Sequence, residues 1–266
     1  MAELTPMMQK YMETKEQYKD CILFYRLGDF YEMFFDDALV ASKELEITLT
    51  GKSCGLEERA PMCGIPYHAV EGYLSKLVSR GYKVAICEQV EDPKLAKGLV
   101  KREVIRVVTP GTNLNVQSLE AGKNNYLLSI AYTSDGIGIS AADVTTGDYY
   151  VTEVEDLKKL NDELMKYEPS EIICNEAFLV SGFDVNDLKS RLHISVNALE
   201  SHMFDDDGCR RILMKHFKVN TLIGLGVEEF PTGLLAAGAL LQYLYDTQKT
   251  DLEHFTHIYP YLTSKY

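Results

Sequence analysis

The spacing of apolar positions changes period several times along the chain, and each change marks an element. Met8 to Lys19 carries helical spacing, Ile22 to Arg26 is a short apolar strand, and helical spacing returns from Phe30 to Leu45 through Phe34, Ala38, Ala41 and Leu45. A loop rich in Gly and charge is expected from Gly51 to Met62. The turn Gly64-Ile65-Pro66 then leads into a helix from Ala69 to Arg80, which Gly81 ends as a C′ residue. Lys83 to Gln89 and Glu103 to Val108 read as strands. The first half therefore predicts a mixed α/β domain over residues 1–115.

Thr109-Pro110-Gly111-Thr112 is a strong turn signal, and the polar stretch through Lys123-Asn124-Asn125 places a linker at 116–124. Three strands follow in a row, Tyr126 to Tyr132, Ile137 to Val144 and Tyr149 to Val154, joined by the short turn sequences Ser134-Asp135-Gly136 and Thr145-Thr146-Gly147-Asp148. Helix and strand then alternate: Asp156 to Lys166, Glu171 to Cys174, Val185 to Arg191, His193 to Asn197 and Asp205 to Phe217. A meander followed by β-α alternation predicts a ribonuclease-H-like sheet with helices on its faces, over residues 125–250. Pro231 to Gln248 is the clearest helix, with Pro231 near N1, Leu234, Leu241, Leu244 and Tyr245 on one face, and an Ala236-Ala237-Gly238-Ala239 centre that permits close packing. Residues 251–266, with Tyr259-Pro260-Tyr261 and no closing signal, are expected to begin a further, truncated domain.

Composition narrows the class. With 266 residues, 46% of them hydrophobic and 25% charged, the chain is long enough for two globular domains with real cores. No apolar run approaches the ~18 residues a membrane helix needs, and the amino terminus lacks a basic-then-apolar signal pattern. A cytoplasmic protein without a membrane role is expected. The six cysteines lie far apart with no C-x-x-C pair, so neither a zinc site nor a redox dithiol is expected, and reduced, buried thiols are. The net charge of -13 is the wrong sign for a general binder of phosphate backbones. It is unevenly spread: residues 1–120 hold 15 Lys and Arg against 18 Asp and Glu (net -3), and residues 121–266 hold 12 against 22 (net -10).

The most informative stretch is Leu23 to Ala38, where the strand-like run breaks at Gly28-Asp29 and the helix-like run opens on Phe30-Tyr31-Glu32. Two readings fit. Asp29 followed three residues later by Glu32 makes a capping box, with Phe30 packed beside it. Alternatively, an aromatic and a carboxylate two residues apart can probe a deformable base pair, the ring wedging into the stack and the carboxylate accepting a hydrogen bond from the displaced base.

Other candidate chemistry is weaker. Gly51-Lys52-Ser53 resembles the end of a phosphate-binding loop, yet Glu46 stands where that loop needs its first glycine, so no nucleotide site is expected. Asp143 and Asp148 invite a metal-dependent nuclease reading on a ribonuclease-H-like sheet, but two-metal chemistry needs more convergent carboxylates than the strands carry. Lys94, Lys97, Lys101, Arg102 and Arg106 form the one basic window; it reads either as a solvated face or as phosphate contacts, with Arg102 and Lys101 the best candidates for the latter.

Five blocks then add a resemblance. Thr5-Pro6-Met7-Met8-Gln9-Lys10-Tyr11, Phe24-Tyr25-Arg26-Leu27-Gly28-Asp29-Phe30-Tyr31-Glu32, Gly64-Ile65-Pro66-Tyr67-His68-Ala69-Val70, Ala85-Ile86-Cys87-Glu88-Gln89 and Val107-Val108-Thr109-Pro110-Gly111-Thr112 resemble, in order, the amino-terminal part of the MutS mismatch-repair proteins. Asp143-Val144-Thr145-Thr146-Gly147 and Leu240-Leu241-Gln242-Tyr243 resemble that family's connector domain more loosely. The resemblance implies a mismatch-recognition domain followed by a ribonuclease-H-like connector. It implies that Phe30 stacks on a mispaired base from the minor groove while Glu32 hydrogen-bonds to it. It implies mismatched or looped duplex DNA as ligand, MutL as a partner of the connector, and residence on the nucleoid. ATP, magnesium and a homodimer are implied only for the full-length protein, through an ATPase domain beyond this chain; the fragment is expected to bind no cofactor and to catalyse nothing. The competing readings are a protein-interaction module and, less favoured, a nuclease.

Overall fold

The computed structural model describes residues 2–114 and 122–263, and it divides into two compact units, Met1–Thr109 and Pro110–Tyr266. Most of the linker expected at 116–124 lies outside the described residues. No helix among them is long and apolar enough to cross a membrane.

The first unit opens with α1 (Pro6–Gln17), whose Pro at N1 and Thr5 cap, accepting from Met8 N at 3.4 Å, start it cleanly. β1 (Ile22–Leu27) turns directly into β2 (Phe30–Phe34), then come α2 (Phe35–Leu45), β3 (Thr50–Lys52), β4 (Ala60–Pro66), α3 (Val70–Ser79), β5 (Val84–Gln89) and β6 (Arg102–Val108). The strands form one sheet in the order β3-β4-β2-β1-β5-β6, antiparallel throughout except for the parallel pair β1–β5. Because side chains alternate across a strand, β1 sends Ile22 and Phe24 to a core under α2 and α3, and Leu23 and Tyr25 to a second core under α1.

Two expectations are corrected here. Phe30 to Phe34 is strand rather than the first turn of a helix, and Asp29 is no N-cap: its carbonyl accepts from Tyr67 N at 2.9 Å. The helix starts only at Phe35, held at φ 53° where β2 breaks into α2. The aromatic run 30–34 alternates exposed and buried positions at its start, which a strand paired on both sides can bury and a lone helix stripe cannot. The expected loop from Gly51 to Met62 holds over 53–59, but its two ends and the turn expected at Gly64 are strand. β3 and β4 are poor in β-branched residues; pairing with β2 imposes extended structure on β4, and pairing with β4 imposes it on β3.

The second unit holds β7 (Leu127–Thr133), β8 (Gly136–Ala142), β9 (Tyr149–Val154), α4 (Leu157–Tyr167), β10 (Glu171–Cys174), α5 (Glu176–Leu179), α6 (Val185–Ser190), β11 (Ser195–Ala198), α7 (Asp206–Phe217), α8 (Pro231–Gln248) and the two-residue β12 (Tyr259–Pro260). Its sheet runs β11-β10-β7-β8-β9-β12. The antiparallel meander β7-β8-β9, with β10 and β11 parallel to β7, is the ribonuclease-H-like arrangement that the pattern predicted. α4, α5 and α6 cover one face and α7 with α8 the other.

α8 is buried nearly all round rather than along one stripe. Glycines make this possible. A Cβ at Gly138 of β8 would stand 1.9 Å from Thr232 O, and one at Gly238 would stand 2.3 Å from Cys209 Cβ on α7. The helix has no side-chain cap of its own; instead Glu153 of β9 accepts from Thr232 N at 2.6 Å and Gly233 N at 3.1 Å. Residues 251–263, expected to open a further domain, bring Leu252, Phe255 and Ile258 into this same core and lay Tyr259–Pro260 beside β9.

Candidate nucleic-acid interface

The β1–β2 hairpin has a two-residue turn, Gly28-Asp29, closed by the pair Leu27↔Phe30. Gly28 sits at φ 58°, the first-position left-handed residue of a II′-type turn, which only glycine adopts without strain. Phe30 is thereby fixed at the extreme end of a strand paired on both sides, to Leu27 and to Pro66.

Antiparallel partners share a sheet face. Phe30 and Glu32, two residues apart on β2, therefore lie on the face that carries Leu27 and Tyr25 of β1, Pro66 and Gly64 of β4, and Lys52 of β3. This is the face that α1 covers further along, through Met8 and Tyr11. Phe30 is left 45% exposed. Gly64 stands between the two side chains: a Cβ there would touch Glu32 Cγ at 3.5 Å and Phe30 Cδ1 at 3.7 Å. Glu32 is far less exposed than Phe30 and is paired, its Oε2 accepting from Lys52 Nζ at 2.8 Å.

The opposite face holds the hairpin still. Arg26 donates from Nε to Gly28 O at 2.6 Å and from Nη1 to Glu88 Oε1 at 3.0 Å, and its guanidinium stacks 3.8 Å from the Tyr67 ring centroid. Tyr31 donates its hydroxyl to the same Glu88 carboxylate. Burial first, and that carboxylate second, hold the Tyr31 phenol protonated far above its ordinary range. The wedge-like end of β2 is thus braced from below by a charged, hydrogen-bonded network. Sequence reasoning missed Arg26, Tyr67 and Gly64 as parts of one site, although all lie in the resemblance blocks, because only strand register brings them together.

The basic window is not one surface. Arg102 pairs with Gln89 and Arg106 with Ile86, and the β-bulge between Ile86 and Cys87 sends these two arginines to opposite faces of the sheet. Arg102 shares the face of Phe30 but is engaged within the protein: Nε donates to Arg26 O at 2.7 Å, Nη1 to Val100 O at 3.0 Å, and the guanidinium lies 5.1 Å from the Tyr25 ring centroid. Lys101 is exposed at the strand's start, in an ion pair with Glu103 at 3.1 Å.

The two candidate nucleotide and metal positions are engaged within the fold. Gly51 and Lys52 lie on β3 with their backbone paired to β4, so their amides are not arrayed as a phosphate cradle. Asp143 is buried and committed to its own loop, accepting from Thr145 N at 2.9 Å, Thr145 Oγ1 at 2.6 Å and Asn125 N at 3.2 Å, while Asp148 accepts from Asn124 Nδ2 at 3.1 Å. Among the described residues no group of three or more His, Cys, Asp or Glu side chains is placed to hold a metal ion. The described cysteines are all free and buried.

Comparison with known proteins agrees with both units. A family model described as MutS domain I matches residues 5–117, and one described as MutS domain II matches residues 125–256. A DNA mismatch repair protein MutS of Lachnoclostridium phytofermentans is 67% identical over 266 residues, all of this chain and 28% of that protein. Proteins of the same name from Ruminiclostridium cellulolyticum and Acetivibrio thermocellus are 51% and 52% identical, again over all of this chain, which covers 30% and 31% of them. The chain thus spans less than a third of the length of these relatives, and the family's ATPase lies outside the matched domains. From its five ordered blocks, its two sheets and these two matches, the chain belongs to the MutS family and comprises that family's domains I and II.

Proposed function

We propose that this chain reads mispaired DNA through the end of β2. The observation that carries the proposal is the pairing of a half-exposed Phe30 with Glu32 on one open sheet face, on a hairpin braced against deflection. Phe30 enters the minor groove and stacks on one base of a mispair, and Glu32 accepts a hydrogen bond from that base. Unstacking a step costs a few kcal/mol and a mispaired step resists less, so discrimination is read from deformability. A carboxylate among phosphates disfavours ordinary duplex unless the displaced base offers it a donor, which adds to the preference. Lys101 supplies a phosphate contact; Arg102, spent on Arg26 O and Val100 O, serves the interface by holding β6 to the hairpin.

The acidic second unit acts as a connector that relays to the ATPase domain of the full-length protein, where ATP and magnesium would bind, and that meets MutL; the working protein is a homodimer on the nucleoid. The domains are assigned as 1–115 for recognition and 125–250 for the connector, whose core residues 251–263 complete with Leu252, Phe255 and Ile258. The test is binding of G·T-mismatched and matched duplexes at fixed salt, with the protein at the full length of its relatives. Phe30→Ala is expected to remove mismatch preference while circular dichroism stays unchanged; undiminished preference would overturn the assignment of the wedge.

A further inference from the structure

The Lys52–Glu32 ion pair lies on the face that carries Phe30 and outside the hairpin brace, with Lys52 Nζ also 5.8 Å from the Phe34 ring centroid. β3 is only three residues long and lies at the sheet edge, yet Lys52 reaches from it across β4 to Glu32 on β2. The Glu32 side chain is largely buried, and the pair engages a single oxygen. Lys52 Nζ takes Oε2 at 2.8 Å, and Oε1 accepts no hydrogen bond from the described residues. A glutamate has three side-chain torsions, and a carboxylate with one oxygen tethered presents the other in a defined direction.

We infer that Lys52 is a positioning residue for mismatch discrimination: it holds the Glu32 carboxylate in one orientation with Oε1 turned to the ligand. The inference rests on the proposed role of Glu32. It differs from a phosphate contact, which would strengthen binding to any duplex and carry no preference.

The experiment is a double-mutant cycle on the full-length protein, with affinities for G·T-mismatched and matched duplexes measured by fluorescence anisotropy over a range of salt. Lys52→Met is expected to lower the mismatch-to-matched ratio by about threefold to tenfold, the order expected for a partly buried ion pair. Lys52→Arg is expected to restore most of it. In a Glu32→Gln background, Lys52→Met is expected to leave the ratio unchanged. Equal weakening of both duplexes in both backgrounds, with the salt slope reduced by about one, would overturn the inference and make Lys52 a phosphate contact. A ratio that Glu32→Gln itself leaves intact would instead overturn the assigned role of Glu32. Circular dichroism of each variant checks that the fold is retained.

Discussion

Removing Glu153 tests how α8 is seated. Its carboxylate, carried by β9, receives the N–H groups of Thr232 and Gly233, at 2.6 and 3.1 Å, and these are the second and third positions of a helix that opens on Pro231. A Ser or Asp at the N-cap ordinarily serves those amides; here Phe230 occupies the cap and offers no acceptor. Thr232 is 4% exposed, so Glu153→Ala strands buried donors at about 1–3 kcal/mol for each group. The loss of a negative charge at a helix N-terminus adds roughly 0.3–1 kcal/mol. Allowing for water that enters the vacated space, about 2–4 kcal/mol is expected, or roughly 5–15 °C in Tm for a unit of this size. Glu153→Gln keeps an acceptor oxygen and loses only the charge, so about 1 kcal/mol is expected. Urea unfolding of the chain followed by circular dichroism measures both. Two variants within about 0.5 kcal/mol of the parent, or a Gln variant as damaged as the Ala one, would refute the cross-strand cap.

Gly64→Ala places a methyl in ordinary contact with Glu32 Cγ, Phe30 Cδ1 and Tyr31 O (3.4–3.7 Å), so stability is expected within about 0.5 kcal/mol of the parent while mismatch preference falls; a stable variant with full preference would show that the space between Phe30 and Glu32 is unused. Arg102→Ala is expected to cost about 1–2 kcal/mol in urea unfolding through its lost hydrogen bonds and its stacking on Tyr25, whereas Lys101→Ala stays within about 0.5 kcal/mol and changes only the salt dependence of DNA binding. Burial pushes the thiols of Cys21, Cys87, Cys174 and Cys209 up to about 12 from 9.0, and that of Cys63 to about 11. The unfolded thiols ionise first as pH rises, so their contribution is full below about pH 9 and is lost towards pH 12; urea midpoints measured at rising pH should fall across that window, and a flat profile would contradict it.

How far the chain is legible depends on where the physical cause of each element lies. The meander Tyr126–Val154 and the helix Pro231–Gln248 follow from alternation, turn residues and a proline at N1, all local, and the structure keeps them. Both residues of the candidate wedge were also legible, as an aromatic and a carboxylate two apart after Gly28. Their setting was not. Whether Phe30-Tyr31-Glu32 opens a helix or continues a hairpin turns on partners supplied by Ile22–Leu27 and by Ala60–Pro66, segments that local pattern does not connect to it. β4 is a strand because β2 pairs with it, and β3 because β4 does, rather than because of their own composition. Likewise one bulge at Ile86/Cys87 decides that Arg102 and Arg106 face opposite ways. Side-chain chemistry along the chain names the candidate residues, whereas the shared face that sets Phe30, Glu32, Gly64 and Lys52 together is a product of strand register, which only long-range pairing determines.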